Sequence, residues 1–75
     1  RQKITLRMKM REVLTAAERA GTVGVSLDSL MPLPPFVLLD VVLLFLALLE
    51  LLKSGAIHAT QDEFCGAIRV YAVPP

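Results

Sequence analysis

Phe45-Leu-Ala-Leu-Leu-Glu-Leu-Leu-Lys53 runs without interruption into Ser54-Gly55-Ala-Ile-His-Ala-Thr-Gln61 and then Asp62-Glu63-Phe64. The first block reads as an apolar helix, and Gly55 stands where a C-terminal glycine stop belongs. After it, Ala56-Ile-His-Ala-Thr-Gln61 and Ala67-Ile-Arg-Val-Tyr-Ala-Val73 alternate with period two. That alternation puts Ile57 and Ala59 on one face of a strand and Ile68, Val70 and Ala72 on one face of the next. Asp62 to Gly66 is the turn between them, so a helix feeds a β-hairpin.

Working back from the hairpin, the helix is expected over about Pro35 to Ser54, with Pro35 as its first helical residue. Pro32-Leu-Pro-Pro35 separates it from what precedes, because proline lacks a backbone donor and disfavours helical geometry in the residue before it. Ser26 is a good N-cap for a brief helix ending at Leu30 or Met31, with Asp28 in its first turn. Thr22 to Val25 is a candidate short strand. Further back, Met10, Val13, Leu14 and Ala17 have the i, i+3, i+4, i+7 spacing of a helix over about Arg7 to Ala20, which Gly21 ends. Ile4-Thr5-Leu6 is β-compatible. The order strand, helix, strand, short helix, long helix, hairpin is that of an α+β winged helix: three helices with a small antiparallel sheet and a C-terminal β-hairpin wing. There are no internal repeats and no low-complexity linkers, so residues 1–75 form a single domain.

The Phe-Leu-Ala-Leu-Leu-Glu-Leu block, the glycine after the helix, Gln61 at the end of the next strand, and Phe64 and Ile68 beyond the turn resemble one family. It is the kleisins, specifically the bacterial segregation and condensation protein A, over about Ile4 to Val73. In that family a C-terminal winged helix docks on the ATPase head of an SMC (structural maintenance of chromosomes) protein. The resemblance implies a non-enzymatic module from the C-terminal end of a longer kleisin, cytoplasmic and nucleoid-associated, that closes the condensin ring in chromosome condensation and segregation. It also implies an accessory partner, segregation and condensation protein B, bound through regions that this chain lacks. Two departures stand out. Phe36-Val-Leu-Leu39 is apolar where the family usually carries charge, and Phe64-Cys-Gly-Ala-Ile68 is one residue wider than the common spacing.

The long helix carries two apolar stripes. Leu38, Val42, Phe45, Leu49 and Leu52 follow the i, i+4, i+7, i+11, i+14 spacing of a buried face, and Val37, Val41, Leu44, Leu48 and Leu51 repeat it one residue out of phase. Asp40, Ala47, Glu50 and Ser54 leave a thin polar edge. The first stripe is expected to form the core. The second is either covered by the first two helices or left exposed as a docking patch. On the docking alternative, Val41, Leu44, Leu48 and Leu51 are the partner-binding residues.

Composition narrows the function. At 75 residues the chain is near the size below which one core is marginal, since such a domain buries only about 60% of its unfolded surface. Hydrophobic residues are 55% of the chain, yet Asp40 and Glu50 interrupt the apolar run. Acids near a bilayer centre cost about 2.5 to 3.5 kcal/mol each, and no membrane span is expected.

Cys65 is the only cysteine, so neither an internal disulfide nor a cysteine-based zinc site can form. His58 has no second ligand at metal spacing. Ser26 and Ser29 lack a histidine base in a nucleophile-elbow context, and Glu63 near Cys65 would disfavour a thiolate. No Gly-Lys-Ser or Gly-Lys-Thr follows any glycine, so no phosphate loop exists. Neither an enzymatic site nor a cofactor is expected.

The net charge is +1, with Arg1, Lys3, Arg7, Lys9 and Arg11 ahead of the first acid, Glu12. This cluster supports the alternative reading, a DNA-binding winged helix using a basic N-terminal region. Base readout needs Arg, Lys, Asn or Gln on the third helix, which instead offers Asp40, Glu50 and Lys53. What remains open is weak, salt-sensitive, non-specific contact.

Overall fold

In the computed structural model, residues 4–61, 63 and 66–74 are described. Helix α1 spans Leu6–Ala20, followed by a 3-10 turn over Gly21–Val23, strand β1 over Val25–Ser26, helix α2 over Leu27–Leu30, helix α3 over Leu38–Ser54, and strands β2 over Ile57–Gln61 and β3 over Ile68–Ala72. The sheet has the order β1-β3-β2, with both pairings antiparallel. Three helices with this small sheet make an α+β, winged-helix-like fold, as the order of elements in the sequence predicts.

Local chemistry sets the boundaries. Helix α1 begins at Leu6 because the Thr5 side chain accepts a hydrogen bond from the Met8 amide at 3.2 Å, so Ile4-Thr5-Leu6 is a helix entry and not a strand. The strand expected over Thr22 to Val25 is displaced to Val25–Ser26 by the 3-10 turn. Ser26 then caps α2 as expected, its hydroxyl oxygen accepting from the Ser29 amide at 3.3 Å.

Helix α3 starts at Leu38, three residues after the expected start at Pro35. Val37 is extended and supplies no capping side chain, so the Asp40 amide closes the first turn on the Val37 carbonyl at 3.0 Å. Its far end is a Schellman stop. Gly55 has φ 80° and ψ 12°, and the amides of Gly55 and Ala56 donate to the carbonyls of Leu52 and Leu51 at 3.1 and 3.0 Å.

The core lies where α1 and α3 pack together above the sheet. Val13 and Ala17 from α1, Leu44, Ala47, Leu48 and Leu51 from α3, Ile57 from β2 and Val70 from β3 are buried in one cluster. The register pairs Ile57 with Ala72 and Ala59 with Val70, so the predicted strand faces are those that form.

The stripes of α3 are the reverse of the expectation. Leu38, Val42, Phe45, Leu49 and Leu52 are all exposed, and the second stripe is core: Leu44, Leu48 and Leu51 are buried and Val41 is half-buried. Ala47, expected on the polar edge, is fully buried with Ala17. Both alanines belong to the buried cluster that α1 and α3 share. The charges agree, since Glu50 and Lys53 are exposed on the outer side; Lys53 lies about 40° around the helix from Leu49.

Candidate docking surface

The outer face of α3 is apolar from Leu38 to Leu49 and carries charge only in its last turns. Leu38 is 77% exposed, Leu49 61%, and Val42, Phe45, Leu46 and Leu52 each about two-fifths or more. Leu33, Phe36 and Val37 in the segment leading into the helix are exposed as well, as is Leu39 in its first turn. Single exposed leucines are ordinary, but a continuous row of them marks a surface that meets another molecule. Glu50 and Lys53 are the charged residues at its C-terminal end.

The predicted partner residues do not line this surface. Leu44, Leu48 and Leu51 are 0%, 8% and 5% exposed, inside the core formed with α1 and the sheet, and Val41 lies at its margin. Leu44, Leu48 and Leu51 are therefore packed within the domain and not presented to solvent. The residues that do line the surface are the first stripe. Sequence reasoning missed them because two stripes of nearly equal hydrophobicity cannot be ranked by periodicity; the positions of Ala47, Glu50 and Lys53 carried the deciding signal.

Of the basic N-terminal cluster, Arg7, Lys9 and Arg11 fall within the described residues. Arg1 and Lys3 lie outside the described residues. Lys9 is buried along α1, with its ammonium on Glu12 Oε1 at 3.0 Å. Arg7 and Arg11 remain exposed one helical turn apart. The guanidinium of Arg69 donates from Nη1 to the carbonyls of Val23 and Gly24 at 3.1 Å each, so it ties β1 to the sheet.

On the sheet face away from the core, the ring of His58 stacks on Tyr71 with centroids 4.9 Å apart and planes within 11°. An open cleft beside them is lined by Glu18, Thr22, Val73 and Pro74. His58 is therefore engaged in a cross-strand aromatic contact, which its register opposite Tyr71 explains. Among the described residues, no group of three His, Cys, Asp or Glu side chains is placed to hold a metal ion, and no helix is long and apolar enough to cross a membrane. The expectations for Asp62, Phe64 and Cys65 in the hairpin turn fall outside the described residues.

The fold and surface together define a class: a winged-helix-like domain whose third helix presents apolar side chains outward. Comparison with protein-family models, with characterised proteins and with solved structures returns no match for this chain.

Proposed function

We propose that this domain is a non-enzymatic docking module of the bacterial kleisin type, which seats on the ATPase head of an SMC protein and helps to close a condensin ring at the nucleoid. One observation carries the reading: the outer face of α3, where a DNA-reading winged helix needs polar and cationic side chains, is a row of leucine, valine and phenylalanine. Such a face fits an apolar protein surface and not a phosphate backbone. The resemblance of the Phe45-to-Ile68 region to segregation and condensation protein A supplies the kind of partner. The anchors are Phe45 and Leu49, central on the exposed face, in place of the buried second stripe.

Capture by a purified SMC head tests this. Leu49→Arg places a charge in the middle of the contact, where desolvating it without a partner is costly. The variant should keep the parent's circular dichroism and melting temperature while losing the head. Capture unchanged by both Leu49→Arg and Phe45→Arg would remove α3 from the interface, and a parent domain that never retains the head would end the kleisin reading.

A further inference from the structure

We propose that the cleft between the last turn of α1 and the sheet binds a guanidinium group carried on a short apolar stem. The site shares no residue with the outer face of α3, so it stands independently of the docking reading. The cleft has a volume of about 460 Å³, within the roughly 300 to 1,000 Å³ range of small-ligand sites. Its lining divides by chemistry. Ala17, Ala72 and Val73 supply apolar wall, His58 and Tyr71 supply two rings, and Glu18 supplies a carboxylate. Among the described residues that line it, none is lysine or arginine.

The charge of the cleft is uncompensated from within. No described residue gives the Glu18 carboxylate a hydrogen bond or an ion pair. The cations closest to the lining residues in sequence are placed elsewhere: Arg19 lines a different cleft with Arg11 and Glu12, and Arg69 is held by the carbonyls of Val23 and Gly24. A carboxylate in a cleft without a counterion selects a cation. The rings select its shape. His58 and Tyr71 stack with planes within 11°, which offers flat aromatic surface beside the acid. A guanidinium is planar, weakly hydrated and stacks on aromatic rings, and its forked N–H groups match a carboxylate in two parallel bonds. An ammonium matches the charge alone. The Thr22 hydroxyl, also in the lining, is an acceptor for a further N–H, and the alanine and valine side chains cover the stem.

The chain holds one histidine and one tyrosine, so the ring proton signals of His58 and Tyr71 report on this cleft without overlap from other residues of their kind. Titration with butylguanidinium should move both sets of signals along one saturating curve, with a Kd on the order of 1 mM for so small a ligand at an open site. Butylurea, a neutral molecule of the same shape, should leave them in place, and butylammonium should bind more weakly. Glu18→Gln should weaken butylguanidinium by about fivefold, the upper scale of an exposed ion pair. Glu50→Gln, on α3 and outside the cleft, should not. Both acids are exposed, so circular dichroism of the two variants should match the parent. N-acetylarginine amide separates the sources of the group: tighter binding than butylguanidinium assigns the cleft to an arginine side chain of a peptide, and weaker binding assigns it to a free guanidine. Shifts that grow without saturating, that butylurea reproduces, or that Glu18→Gln leaves unchanged would overturn the proposal, as would an equal loss of binding in Glu50→Gln.

Discussion

A Cβ built on Gly24 would lie 2.6 Å from Tyr71 Cε2 and 2.9 Å from Arg69 Cγ, and the backbone there has φ 74°. Steric space and dihedral both demand glycine, because β1 must run close enough to β3 for Val25 to pair with Val70. Gly24→Ala should therefore lower stability by about 1 to 3 kcal/mol, the usual scale of a forced positive φ, and thermal melting measures it. The residue scale also separates the two sides of α3. Leu44 is fully buried and Leu49 largely exposed, so Leu44→Ala should cost about 2 to 5 kcal/mol while Leu49→Ala stays within about 0.5 kcal/mol. Equal melting temperatures for the two variants would contradict the orientation of the helix.

At the scale of elements, what the sequence made legible follows from how local each signal is. Ser26 as a cap, Gly55 as a stop and the two alternating strands depend on neighbours a few residues away, and each forms as expected. The start of α3 was not legible, because Val37 supplies no capping side chain and Pro35 is as compatible with an extended entry as with a first helical turn. The facing of α3 was missed for a different reason. Leucines at Leu44, Leu48 and Leu51 are chemically the same as those at Leu38, Leu49 and Leu52, so hydrophobicity assigns no preference. The choice belongs to the packing of α1, whose Val13 and Ala17 are buried in the same cluster as Ala47. Lys9 illustrates the same limit: it counts as a surface cation in composition but lies along the core side of α1 with its ammonium on Glu12.

For the whole molecule, the division of labour between faces sets how its interactions should respond to salt. The cations exposed on α1 are Arg7, Arg11 and Arg19, and with Arg1 and Lys3 added about five phosphates could be neutralised, which puts the slope of log K against log salt at about −4.5. DNA binding should therefore be weak, indifferent to sequence and lost as salt rises through the physiological range. The proposed docking through α3 would depend on burying apolar side chains, a force that salt does not screen. Capture of an SMC head should consequently persist at about 0.5 M salt, where the Debye length has fallen below about 5 Å. Parallel titrations of one protein preparation, head capture by pull-down and duplex binding by fluorescence anisotropy, decide between the two modes. Head capture that disappeared with the same salt dependence as DNA binding would place the contact on the basic residues and not on the leucines of α3. A duplex bound tightly and selectively at physiological salt would restore the DNA-reading alternative, despite a third helix whose outer face carries Lys53 alone among side chains suited to reading base edges.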